Sequence, residues 1–179
     1  DGDGFTATAL LLKVFAALSA DVRWHIPHRV DEGYGLNNEA LSVLAGQNVD
    51  LVITVDCGIR SPVEAEHARS LGMDLIISDH HHPGAELPAA AAIINPLQEG
   101  DPYPDKNLSG VGLAYKIAQA LLSQRPLAGV HAEDWLDLVA LGTISDVVPL
   151  SGENRALVRA GLERLRAGRR QGIVSLSGA

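Results

Sequence analysis

The sequence predicts an α/β fold, a mostly parallel sheet flanked by helices on both faces, and three observations lead there. Two largely apolar runs, Leu51-Val52-Ile53-Thr54-Val55 and Leu75-Ile76-Ile77, have strand length and little polar alternation, the pattern of strands buried on both faces of a parallel sheet. Each run leads into an aspartate, Asp56 and Asp79, at the carboxyl end where open α/β sheets place their ligands. Between them lies a helical segment that opens with Ser61 as N-cap and Pro62 at the first helical position. Strand, helix, strand repeated along a chain implies parallel strands joined by right-handed crossovers.

Taken in order, Asp1-Gly2-Asp3-Gly4 runs straight into a helix over Phe5–Leu18, with two acids at its positive end. The natural parent of such a start is a strand–DxDG–helix unit, so the chain is expected to open inside a motif. A strand over Val22–Pro27 comes next, then a polar loop, His28-Arg29-Val30-Asp31-Glu32-Gly33-Tyr34-Gly35, and a helix from about Asn37 to Gln47. The strand Asp50–Val55 ends in Asp56-Cys57-Gly58, the helix opened by Ser61 runs to Leu71, and the strand from Asp74 ends in Ser78-Asp79-His80-His81-His82-Pro83-Gly84. Side chains alternate along an extended chain, so at most two of these adjacent histidines face one site. A His-rich loop of this kind is either solvated or metal-binding, and carboxylates arriving from other strand ends favour the metal.

Ala91–Asn95 reads as a further short strand stopped by Pro96, and residues 97–108 as an irregular loop. Ser109-Gly110-Val111-Gly112 leads into a helix over Leu113–Gln124, a start whose first amides suit a phosphate or whose small residues suit close packing. A helix from Ala132 to about Thr143 sets Trp135, Leu136, Val139 and Ala140 at core spacing, and just beyond it Asp146 stands among apolar neighbours. An aspartate so flanked needs a metal, a cation or a cap. The tail from Glu153 to Arg170 is predicted to be one helix with a solvated face, holding six of the fourteen Lys and Arg residues.

The chain has 179 residues, 46% of them hydrophobic, enough for one sizeable core. A net charge of −8 argues against gripping nucleic acid by bulk electrostatics, although two divalent cations would add four positive charges where the histidines and acids gather. A single cysteine, Cys57, excludes an internal disulfide and suits a reducing cytoplasm, and neither a membrane-length apolar run nor a signal-peptide pattern is present. The acids and imidazoles form a set: Asp1, Asp3, Asp56, Asp79, His80, His81 and Asp146. Hard cations such as Mn2+ accept carboxylate with imidazole, and two of them about 3.5–4 Å apart serve in-line attack on phosphorus.

The series DxDG-x-TAT, VDCGI, SDHHHPG, SGVGLAYK and GTISDVVPL resembles the ordered motifs of the DHH phosphoesterase superfamily, nearest to its bacterial single-strand-specific exonucleases. The resemblance runs from Asp1 to about Leu162 and includes HRVDEGYG and GENRALVRAGL. It implies a DHH catalytic domain over 1–150, truncated at its N-terminus, with 151–179 starting a helix toward a second domain of the same chain. It implies two ions, Mn2+ or Mg2+, with Asp56 bridging them, His80, Asp3 and Asp146 on one, and Asp1 on the other. His81 would face the scissile phosphate and Asp79 would orient a neighbouring histidine. Arg29 and Tyr34, with Ser109 and Gly110, fall to the substrate side. The implied activity is removal of nucleotides from the 5′ end of single-stranded DNA in repair and recombination, by a cytoplasmic monomer without a membrane partner. Hydrolysis of short oligoribonucleotides or cyclic dinucleotides is the alternative within the same chemistry, and a catalytically silent scaffold or nucleic-acid-binding module is the alternative outside it.

Overall fold

The structure, a computed structural model, describes residues 1–28, 30–31, 33–168 and 170–177, the side chains of 176 and 177 excepted. In chain order the elements are α1 (Gly2–Ala17), α2 (Asn38–Gly46), β1 (Leu51–Val55), α3 (Pro62–Ser70), β2 (Asp74–Ser78), β3 (Ala92–Ile94), α4 (Gly110–Gln124), a 3-10 turn (Ala132–Trp135), α5 (Leu136–Ser145), α6 (Gly152–Arg166) and α7 (Gln171–Ser177). They group into two compact units, one made of Arg23–Lys106 and the other of Asp1–Val22 with Asn107–Ala179.

The unit over Arg23–Lys106 is a three-stranded parallel sheet in the order β1-β2-β3 with two helices. Val55 pairs with Ser78 and Ser78 with Ile94, so the three strands finish level with one another. The aspartates that follow β1 and β2 therefore leave the sheet side by side. Helices α2 and α3 pack on the face that carries Leu75 and Ile77, where Leu41, Ala65, Ala68 and Met73 are buried with Val52 against them. Asn37 begins α2 as expected, its side chain accepting from the Ala40 amide at 2.7 Å. Ser61 stands at the N-cap of α3 with no side-chain bond to the helix, and Pro62 alone marks the start.

In the other unit α1, α4 and α5 pack against one another and α6 packs along α5. Leu10, Val14, Val111 and Val139 are fully buried there. Glycine permits the closest approaches: a Cβ at Gly142 would collide with Thr6 and Val111, and one at Gly161 with the Leu136 carbonyl. Asp1 caps α1, its Oδ1 accepting the Gly4 amide at 3.0 Å, so the helix begins at Gly2 and not at Phe5. Ser109 likewise caps α4, which begins at Gly110, three residues before the expected Leu113.

Two expectations about secondary structure are overturned. Val22–Pro27 belongs to no strand of the described sheet, and Trp24 is 65% exposed. An extended run becomes a strand only when a ladder partner takes its amides and carbonyls. The helix expected over Glu153–Arg170 ends at Arg166, and α7 follows as a separate element. Gly168 between them has φ +59°, the left-handed conformation that closes a helix at little steric cost.

Candidate metal centre and active site

The site in the sheet unit starts from backbone. Asp56, the first residue past β1, has φ +61°, a left-handed conformation uncommon for any residue with a Cβ. Its amide donates to the Ser78 carbonyl at 2.9 Å and its carbonyl accepts the Tyr34 hydroxyl at 2.8 Å, so both faces of this strained residue are held. Thr54 fastens the same corner, donating to the Cys57 carbonyl at 2.7 Å. Gly58 turns the chain at φ +108°.

Asp56 is 4% exposed, and His80 Nε2 stands 3.1 Å from its Oδ1. The contact has ion-pair distance without hydrogen-bond alignment, and Asp56 Oδ1 is buried with no hydrogen-bond donor on it. A buried carboxylate oxygen left in that state is costly unless a cation serves it. Asp56, His80 and His81 offer ligand atoms that all lie within 4.8 Å of one another. Carboxylate and imidazole at this spacing fit a divalent ion such as Mn2+.

Asp79, 2% exposed, is spoken for by the protein. Its Oδ2 accepts the Ile59 amide at 2.9 Å, and its Oδ1 accepts His81 Nδ1 at 2.7 Å and the His81 amide at 3.2 Å. With Nδ1–H donated to a carboxylate, the His81 tautomer is set and Nε2 is left for chemistry. The His81 ring is 46% exposed, tilted against His80 with centroids 4.5 Å apart, and meets the edge of Tyr34 at 6.4 Å. Cys57 lies in the same corner, but burial, with Asp79 and Asp56 adding to it, pushes its thiol up from 9.0 to about 12. The thiol is therefore a poor nucleophile at neutral pH.

The remaining acids of the set belong to the helical unit. Asp3 is fully buried, and its two oxygens accept the Gly110 amide at 2.6 Å and the Val111 amide at 2.8 Å, placing a carboxylate on the positive end of α4. Ser109 is also buried, its hydroxyl 2.8 Å from that of Thr143. The first amides of α4, which by sequence suit a phosphate, thus have an internal carboxylate partner. Asp146 is partly buried at the C-cap of α5, its amide donating to the Gly142 carbonyl at 2.9 Å. Arg29 lies outside the described residues. Tyr34 is half-exposed, with its hydroxyl turned to Asp56.

Sequence reasoning passed over Asn95 and Arg60. Asn95 is 1% exposed and donates to the His81 carbonyl at 2.9 Å, while Arg60 Nε donates to the His82 carbonyl at 2.7 Å. For Asn95 the available signal was a polar amide closing a buried strand next to the histidine run.

A family model described as "DHH family, N-terminal domain" matches residues 1–143. Over 176 residues the chain is 48% identical to the single-stranded-DNA-specific exonuclease RecJ of Bacillus subtilis (strain 168), covering 98% of this chain and 22% of that protein. It is 43% identical to the protein of the same name from Escherichia coli (strain K12), covering 98% of this chain and 32% of that one. A crystal structure described as exonuclease RecJ bound to manganese superposes with a TM-score of 0.88 at 39% identity, over 99% of this chain and 45% of that one. The chain therefore spans less than a third of the length of these two curated relatives.

Proposed function

The chain belongs to the DHH family, and from that premise we propose that it is the metal-binding catalytic part of a single-stranded-DNA exonuclease. The reaction is phosphodiester hydrolysis, releasing nucleotides from the 5′ end of the strand in repair and recombination. The single observation that carries the reading is the buried Asp56 oxygen, without a hydrogen bond, 3.1 Å from His80 and beside a His81 anchored on Asp79. The similarity to a manganese-bound exonuclease supports it.

In this reading Asp56 and His80 hold a divalent ion, Mn2+ or Mg2+, and Asp1, Asp3 and Asp146 complete a two-ion set by their motif positions. Ions bound there would supply Lewis acidity toward the phosphate oxygens and the attacking water. His81 faces the scissile phosphate: Asp79 accepts Nδ1–H and fixes the ring, which leaves Nε2 as the atom available for proton transfer with the reacting groups. Arg29 pairs with a phosphate and Tyr34 lies along the base of the substrate strand. Further domains of the same chain clamp the strand, which squares with the net charge of −8 on this part. The protein works as a cytoplasmic monomer with no membrane partner. No helix among the described residues is long and apolar enough to cross a membrane.

The test is digestion of 5′-labelled and 3′-labelled single-stranded DNA by the full-length protein in Mn2+, with dinucleotides and duplex DNA in parallel. Trimming of the single strand from its 5′ end, lost on chelation and in Asp56→Ala, is the expected result. Preference for dinucleotides would shift the reading to a small-substrate phosphodiesterase, and DNA binding without cleavage would make the protein a silent module.

A further inference from the structure

We propose that Asn95 is a positioning residue for His81. The His81 ring is 46% exposed, with only His80 and the edge of Tyr34 as ring neighbours among the described residues, so hydrogen bonds carry much of its aim. Asp79 supplies two, to the ring Nδ1 and to the backbone amide. The third point is the His81 carbonyl, which receives Asn95 Nδ2 at 2.9 Å.

Asn95 is built for this role. It directly follows β3, whose last residue Ile94 accepts the Asp79 amide at 3.1 Å, so the end of β3 is already stitched to the start of the histidine turn. Its Oδ1 accepts the Leu97 amide at 2.8 Å, which fixes the carboxamide so that the NH2 group faces His81. Gln98 closes the turn behind it, donating to the Ile93 and Asn95 carbonyls at 3.1 Å each. The carboxamide is 1% exposed, where loss of its donor leaves the His81 carbonyl short of a partner and free to turn. Rotation of that peptide swings the root of the ring away from the line set by Asp79.

The activity arm of the test rests on the exonuclease reading, and a spectroscopic arm does not. Asn95→Asp keeps the acceptor for Leu97 and turns the donor into a second acceptor facing the His81 carbonyl. In the full-length protein with Mn2+, this variant is expected to lower kcat by about 10²-fold, the scale of a misaimed catalytic group, with KM and Mn2+ affinity unchanged. In a His81→Ala background the same substitution is expected to add no further loss, because the two residues act as one. Equal losses in both backgrounds, or a wild-type kcat, would overturn the proposal, since a merely structural asparagine costs the same whether or not His81 is present. In metal-free protein the His81 Nδ1–H resonance held by Asp79 is expected to broaden or vanish in N95D while the rest of the amide spectrum persists; an unchanged resonance refutes the positioning role. Should N95D not fold, Asn95→Ser, too short to span to His81, takes its place with the same outcomes. If the unsubstituted protein does not trim DNA, the exonuclease reading fails, and the resonance alone decides whether Asn95 aims His81.

Discussion

Replacing Asp56 by glycine and by alanine separates backbone strain from metal binding at one position. Both variants delete the carboxylate, and only glycine relieves the left-handed backbone at φ +61°. A Cβ in that region costs about 1–2 kcal/mol, so Asp56→Gly should be more stable than Asp56→Ala by about 1 kcal/mol after allowing for the entropy glycine gains on unfolding. For a chain of 179 residues this is about 2–4 °C in Tm. The metal effect is separate. An ion at a hundred times its Kd stabilises the native state by about 2.7 kcal/mol, which raises the wild-type Tm by about 5–10 °C, and neither variant should show that rise. The assay is thermal unfolding by circular dichroism in EDTA and again in Mn2+, for wild type and both variants. Equal melting of the two variants in EDTA would refute the strain argument. A full Mn2+ response in Asp56→Ala would refute the ligand assignment.

Other outcomes follow from the packing and the charges. Gly142→Ala and Gly161→Ala insert a methyl group against Thr6 and Val111 and against the Leu136 carbonyl, and each should lose about 1–3 kcal/mol in urea unfolding. Arg170 grips Asp137 with Nε at 2.6 Å and Nη2 at 2.9 Å, so Arg170→Ala leaves a largely buried carboxylate with the Leu138 amide but no cation and should lose about 1–3 kcal/mol by the same measurement. Cys57 titrates near 12 in the native state against 9.0 in an open chain, so the thiol should resist iodoacetamide at pH 8 until the protein is unfolded. Above pH 9 the unfolded state gives up this proton before the native state does. Cys57 therefore subtracts stability as pH rises from 9 toward 12, and Cys57→Ala should flatten that part of the stability profile.

Much of the candidate site was legible because two of its acids sit at strand ends. A short apolar run followed by an acid can be read from neighbours in the chain, and Asp56 and Asp79 were found that way. The family resemblance gave them different duties, but the contacts behind those duties were not legible. Asp79 accepts Ile59 and His81 through a turn whose shape depends on β1 and β2 ending level, whereas Asp56 keeps one oxygen without a hydrogen bond because its left-handed backbone turns it toward His80. Asp3 was equally visible as an acid before a helix, but the helix it serves first is α4, 107 residues away.

Sequence alone determined what local chemistry decides: an α/β class with parallel strands, the starts of α1 and α2 to within a few residues, and a family set of acids and histidines in order. Periodicity, capping and turn preferences act over a few residues and survive without the rest of the molecule. Tertiary structure decided what depends on partners distant in the chain. It denied Val22–Pro27 a place in the described sheet, broke the last helix at Gly168, and turned the α4 amides onto Asp3. It also placed Asn95 behind His81. A hydrogen bond between remote residues is set by where whole strands and helices stop, and no window of neighbouring side chains contains that distance.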